Sequence, residues 1–255
     1  MVRKTLALIV GLLLITPAFA ADAKKLTLRW YGQSMFMLET SQGTKVVFDP
    51  HAIEAYPRSM LKADVICVSH FHNDHSQVMA IENHQKAKIF VGLKGTPKKM
   101  EWNAIDEKVK DVRVRTVGVY HDDTGGMERG KNAVFIIEAD GLRIVHLGDL
   151  GHLLTKEQLD KIGPVDVLMI PVGGVYTLNG SEAQKVVEQI KPRMYVVPMH
   201  FGTKVFDEVL SVDEFLDGQR KENILRRDLG VPTNELLIKT DFKPKEPMIV
   251  VLNWK

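Results

Sequence analysis

The apolar run Ala63-Asp64-Val65-Ile66-Cys67-Val68-Ser69 leads straight into His70-Phe71-His72-Asn73-Asp74-His75. This junction constrains the fold more than any other stretch of the chain. Neutral imidazoles and carboxylates are the donors that catalytic zinc takes. Four of them within six residues, placed where a buried strand ends, do not fit a merely solvated loop. His70 and His72 can point one way while Asp74 and His75 turn toward a neighbouring position. The spacing therefore suits two ions better than one.

The rest of the chain shows no heptads, low-complexity tracts or fixed-period repeats. Short β-type runs alternate with turn signals. Strands are expected over 26–39 with a break near Gly32, then over 45–49, 65–69, 88–91 and 112–120. Two more, 133–139 and 142–147, are joined by Asp140-Gly141, a two-residue hairpin signal. Next come a helix over 156–162, a strand over 165–171, a helix over 182–190 and a strand over 194–198. Ser181 with Gln184, or Asn179 with Glu182, would form a capping box at that second helix. A helix over 212–227 and strands over 235–239 and 248–253 close the chain. The pattern implies an α/β (α+β) fold, an αββα sandwich of two packed mixed sheets flanked by helices.

Arg3 and Lys4, an apolar run from Leu6 to Ile15 and Ala18-Phe19-Ala20 have the layout of a cleavable export signal ending at Ala20. The run is shorter than the ~20 residues that span a bilayer. Residues 1–20 are thus expected to be removed, leaving one domain over 21–255, periplasmic or secreted, with no stable membrane insertion. The signal takes two cations and no anion from 34 Lys+Arg and 32 Asp+Glu, so the remainder is balanced at 32 of each. That balance gives no electrostatic footprint for nucleic acid. Cys67 is the one cysteine, so no internal disulfide is possible. Its place in an apolar run marks it as a core residue.

HxHxDH after an apolar strand resembles the signature of the metallo-β-lactamase superfamily, and further matches follow in order. His121 in VGVYHDD, Asp149 in HLGDLGH and His200 in VVPMHFGT each lie where an expected strand ends. The resemblance implies the metallo-β-lactamase fold and two metal sites. One would be built from His70, His72 and His121, the other from Asp74, His75 and His200, with Asp149 shared. It implies two divalent ions, zinc first and manganese or iron as alternatives, and a metal-bridging hydroxide that attacks a carbonyl or phosphorus. Asp74 and Asp149 are the expected catalytic carboxylates. The substrate class implied is a small molecule with a lactone, ester or phosphodiester bond.

WYGQS (30–34), VVFDP (46–50) and PVGGVYTLNGSEA (171–183) resemble the branch of ascorbate-6-phosphate lactonase-like and phospholipase D-like hydrolases. Gln33 stands where that branch often has histidine. The resemblance runs from about residue 26 to 205. Of the remaining histidines, His146 reads as a hydrogen-bonded core residue, His51 as loop and His84 as exposed on a polar helical stretch. Asp49 is a candidate for bracing a ligand from behind. Tyr176, Thr177 and His152 are candidate substrate contacts, Tyr176 as a donor to a developing oxyanion. Two other readings stay open: a periplasmic zinc-binding protein without turnover, and a di-iron oxidoreductase using the same donors. Oligomeric state is not legible in the sequence.

Overall fold

The computed structural model describes residues 22–56, 60–96, 99–230 and 233–255. The expected export signal at 1–20 lies outside them. In chain order the strands begin with β1 (Lys25–Trp30), β2 (Phe36–Glu39), β3 (Lys45–Phe48), β4 (Val65–Val68), β5 (Lys88–Val91), β6 (Leu93–Thr96), β7 (Lys99–Trp102) and β8 (Asp106–Val109). They continue with β9 (Val112–Tyr120), β10 (Lys131–Ala139), β11 (Leu142–His146), β12 (Val167–Pro171), β13 (Tyr195–Met199), β14 (Ile224–Arg226), β15 (Glu235–Lys239) and β16 (Met248–Val251). The helices are α1 (Lys156–Ile162), α2 (Gly180–Ile190) and the single turn α3 (Asp213–Leu216).

Among the described residues there is a six-stranded sheet ordered β15-β1-β2-β3-β4-β5 and an eight-stranded sheet ordered β14-β16-β13-β12-β11-β10-β9-β8. A ribbon of β6 and β7 stands beside them. Leu28, Phe36 and Phe48 of the first sheet share one buried cluster with Phe135, Ile144 and Val197 of the second. The main core therefore lies between the sheets, as expected for a sandwich. Ile162 of α1, Ala183 and Val186 of α2 and Phe215 of α3 join that cluster, so the helices cover the second sheet. A smaller cluster of Met37, Val47, Ile66 and Val68 is capped by Leu61 and Ile81. β3 and β4 thus bury both faces, which explains why ADVICVS reads as an unbroken apolar run rather than an alternating one. Cys67 is fully buried in the main core, as its setting implied.

Turn chemistry sets the register of the hairpin from β10 to β11. Asp140 (φ 53°) and Gly141 (φ 80°) are both left-handed, the combination that a two-residue hairpin with twisted strands requires. At α2 the capping box uses Asn179 with Glu182. The expected helix over 212–227 is a correction: only Asp213–Leu216 is α-helical, with a separate 3-10 turn at Lys221–Asn223. Gly218 at φ 71° breaks it, and Ile224–Arg226 gain more by pairing with β16 as a parallel edge strand. His84 lies in a turn rather than a helix, half-buried, with Nδ1 against the Ile81 carbonyl at 2.9 Å.

Strand direction decides where the chemistry gathers. β3, β4 and β5 are parallel, as are β11, β12, β13 and β16. β9 and β11 are both antiparallel to β10 and so point the same way. The C-terminal ends of β9, β11 and β13 therefore share one edge of the second sheet. Those of β1, β3 and β4 share one edge of the first. His200 N–H donates to the Gln33 carbonyl at 3.1 Å, which ties the two edges together.

Candidate metal centre

Each clustered donor follows a strand end. His70 to His75 come after β4, His121 after β9, Asp149 after β11 and His200 after β13. The chain is bent at these points. Asp49 (φ 42°), His200 (φ 51°) and Gln33 (φ 47°) are all left-handed without being glycine, a conformation that costs energy and concentrates at functional sites. Gly148 (φ 55°), beside Asp149, is required for a second reason. A Cβ there would collide with the side chains of Asn132 and Ser69.

The donors fall into two sets. Ligating atoms of His70, His72 and His121 lie within 4.8 Å of one another, and so do those of Asp74, His75, Asp149 and His200. Asp149 Oδ2 stands between the sets, 3.0 Å from His75 Nε2, 3.2 Å from His121 Nε2, 3.4 Å from His200 Nε2 and 3.9 Å from His70 Nε2. His70 Nε2 and His72 Nδ1 approach to 3.0 Å. Asp74 Oδ2 is 3.3 Å from His75 Nε2 and 3.8 Å from His200 Nε2. His70, His75, His121, Asp149 and His200 are buried, while His72 and Asp74 reach toward solvent.

A buried bracing layer fixes these side chains. His75 Nδ1 lies 2.9 Å from Asp49 Oδ2, and Asp49 also accepts from Ser69 N–H and Ser69 Oγ, both at 2.7 Å. Ser69 Oγ is 2.9 Å from His70 Nδ1. Ser34 Oγ donates to Asp149 Oδ1 at 3.3 Å. His146 is a bonded core histidine, its Nε2 2.8 Å from the Ser34 carbonyl and its Nδ1 accepting from Gly148 N–H at 3.1 Å.

The donor set fits metal. Asp49 accepts a hydrogen bond from His75 Nδ1–H, which turns Nε2 into the cluster. Among the described residues no neighbour meets that buried nitrogen in hydrogen-bond geometry, although Asp149 Oδ2 lies 3.0 Å away. A carboxylate behind a ligating imidazole is how metal sites fix the tautomer. The electrostatics agree. Burial disfavours a charged His75, yet the Asp149 and Asp49 carboxylates outweigh it and lift its pKa well above the ordinary value. His200 is raised against burial by Asp149 and Asp74. Asp149 is held far below the carboxylate range, against burial, by His200 and His75. His70 goes the other way, lowered by burial and by His75. The carboxylates demand positive charge in this pocket, and bound cations would supply it without protonating the ligands.

A cavity of about 650 Å³ opens onto the donors, lined also by Gln33, Ile53, Arg129, Tyr176 and Phe206. Tyr176 is 44% exposed at its rim, positioned to reach a bound molecule. Two other sequence candidates do not face it. His152 Nε2 accepts from Tyr120 N–H at 3.0 Å and its Nδ1 meets the Leu153 carbonyl at 2.7 Å, so both ring nitrogens serve the backbone. Thr177 Oγ1 turns to the Leu178 carbonyl at 3.4 Å. His51, read as loop, is buried beside the cavity with Nε2 3.2 Å from the Tyr31 carbonyl. Arg129 carried no motif and was missed. The only sequence signal was a cation eight residues beyond His121 in a glycine-rich loop.

Residues 27–200 match the family described as a beta-lactamase superfamily domain. A UPF0173 metal-dependent hydrolase of Thermococcus onnurineus is 32% identical over 192 residues, 69% of this chain and 84% of that one. One from Pyrococcus furiosus is 32% identical over 190 residues, 68% of this chain and 83% of that one. A solved structure from Thermotoga maritima, whose name carries a zinc-dependent hydrolase assignment within the metallo-β-lactamase superfamily, superposes with a TM-score of 0.67. It is 32% identical and covers 89% of this chain and 98% of its own.

Proposed function

The chain belongs to the metallo-β-lactamase superfamily, among its metal-dependent hydrolases, and from that premise we propose an exported enzyme that holds two zinc ions and cleaves a lactone, ester or phosphodiester. The observation that carries the binuclear reading is the position of Asp149 Oδ2 between the two donor sets, within 3.2 Å of His121 Nε2 and 3.0 Å of His75 Nε2. His70, His72 and His121 would hold one ion and Asp74, His75 and His200 the other, with Asp149 common to both. When bound, such a pair supplies Lewis-acid polarisation and activation of water at neutral pH.

The chain's own groups do the rest. Asp49 and Ser69 keep His75 and His70 in the ligating orientation. Asp74, only partly buried on the cavity side, is held far below the carboxylate range, against burial, by His200 and His75, and so would serve as an anionic ligand that orients the reacting group. The Tyr176 hydroxyl at the rim would donate to a developing oxyanion. Export rests on the residue 1–20 pattern alone. Among the described residues no helix is long and apolar enough to cross a membrane.

The open cavity beside the donors favours turnover over zinc storage. The resemblance of the 30–34 and 171–183 segments to lactonase-like and phospholipase D-like hydrolases favours lactones and phosphodiesters as the first substrates to try. Metal content per chain by elemental mass spectrometry, paired with a screen of lactones and phosphodiesters, tests the proposal. About two zinc per chain with turnover supports it; two iron with oxygen uptake moves the chemistry to oxidation. A chain that refuses two metals in excess removes the binuclear mechanism.

A further inference from the structure

The loop after His121 is organised around one carboxylate. Asp122 accepts from the backbone N–H of Thr124 (3.0 Å), Gly126 (2.6 Å), Glu128 (3.1 Å) and Arg129 (2.7 Å), and from Thr124 Oγ1 (2.9 Å). Although burial opposes it, the bonds from Arg129 and Gly126 hold its pKa well below the ordinary carboxylate range. The loop is thereby fixed to the strand end that carries His121, and Arg129 is its last side chain. The guanidinium lies 5.6 Å from the Tyr176 ring centre, and Nη2 donates to the Val175 carbonyl at 3.1 Å. Stacking and one backbone bond place a planar cation at the cavity wall.

Among the described residues that line the cavity, Arg129 is the only lysine or arginine. Its one ion pair among the described residues, with Glu128 at 3.3 Å, is poorly buried, since the Glu128 side chain is 59% exposed. Such a pair is worth little and does not explain why a cation is pinned here. Among the described residues two of the five guanidinium donors are engaged, which leaves three to meet a ligand. Glu208 also lines the cavity, but it is exposed and water screens it.

We infer that the site selects substrates carrying a second anionic group, a carboxylate or phosphate beyond the bond that is cut, and that Arg129 recognises it. This deepens the hydrolase reading above and rests on it. The reactive end of the substrate would face the donor cluster while its anionic end meets the guanidinium. Asp122 acts through Arg129 as a positioning residue, and Tyr176 supports the stack.

Binding to the metal-loaded protein as purified, measured by calorimetry, tests this without turnover. The probes are phosphonocarboxylates with two to four methylenes between the groups, each paired with the alkylphosphonate of equal length. Wild type is expected to bind at least one of the diacids about tenfold or more tightly than its partner, the scale of one charge-assisted hydrogen bond. Arg129→Gln should lose that advantage while its alkylphosphonate affinity stays within about twofold, because the shared phosphonate contacts are untouched. Arg129→Lys keeps the charge without the fork and should retain part of the advantage. Glu128→Gln should retain all of it. No preference in wild type, an equal loss for both probes in Arg129→Gln, or a preference unchanged in both Arg129 variants overturns the inference. Failure of the protein to hydrolyse any ester would instead remove the hydrolase reading and leave the binding result standing.

Discussion

Asp49 Oδ2 lies 2.9 Å from His75 Nδ1, with both side chains almost fully buried. The same carboxylate accepts two bonds from Ser69, so it links the ends of β3 and β4 and orients the imidazole between them. Groups that brace a ligand in this way typically control metal affinity by about 10–100-fold. Asp49→Asn should weaken the site holding His75 by that factor while the chain still folds. Competition against a chelating dye measures it, and undiminished affinity would mean that His75 is oriented by something else.

Asp149→Ala removes the one carboxylate that stands within 3.4 Å of His75, His121 and His200 together. Both donor sets lose an anion at once, so the variant should carry about one ion per chain instead of two and lose most of its turnover. Ser34→Ala removes only the 3.3 Å bond to Asp149 Oδ1 and should leave the metal count intact. Elemental analysis of the two variants side by side separates bridging from bracing. Two ions in Asp149→Ala would refute the shared ligand.

Chelation should destabilise the protein, and more so at alkaline pH. A ligand present at a hundredfold its dissociation constant stabilises by about 2.7 kcal/mol, which stripping removes. In the stripped protein the buried carboxylates depend on protonated His75, whose pKa is raised above 6.5 chiefly by Asp149 and Asp49 against burial. A raised folded pKa contributes stability that is complete below 6.5 and is lost as pH climbs through the folded value. The drop in melting temperature on chelation is therefore expected to be larger at pH 8.5 than at pH 6.5. An equal drop at both would show that protons do not stand in for the cations.

Much of the site was legible because each donor terminates a run whose pattern is plain. ADVICVS before His70, VRVRTVGVY before His121 and MYVVPM before His200 all read as strands, and strand ends of one direction share an edge. What escaped depends on partners far away in the chain. His51 follows Asp49-Pro50 like any loop residue, and only the Tyr31 carbonyl and the Tyr56 ring, 5.3 Å centre to centre, make it a buried group. β6 and β8 have the polar sequences LKGT and DEKV, and the alternation of KMEW in β7 runs over only four residues, too short to mark a strand. Val212 and Phe215 sit at helical spacing, but Gly218 and the free edge of β16 decide the outcome. Arg129 is invisible in sequence because its significance lies in the fold of its loop.

His51 gives the stability of the fold an acid-sensitive component. Burial lowers its pKa to about 4 from 6.5, assisted by the charge of His75 and opposed by the bond to the Tyr31 carbonyl. The hydrogen bonds favour the neutral ring too. Nε2–H donates to Tyr31 O at 3.2 Å while Nδ1 accepts from Ile53 N–H at 3.2 Å, and protonating Nδ1 would set two donors against each other. With the folded pKa depressed, the unfolded chain binds more protons between pH 6.5 and 4. Stability from this group is complete above that window and falls as pH drops through it. Between pH 7 and 5 the loss amounts to about 2 kcal/mol. His51→Gln can keep a donor toward Tyr31 but cannot titrate. Its urea-unfolding free energy should therefore fall less than that of wild type between those two pH values, by roughly that amount. Parallel pH profiles for the two proteins would mean that His51 does not charge on unfolding in this range.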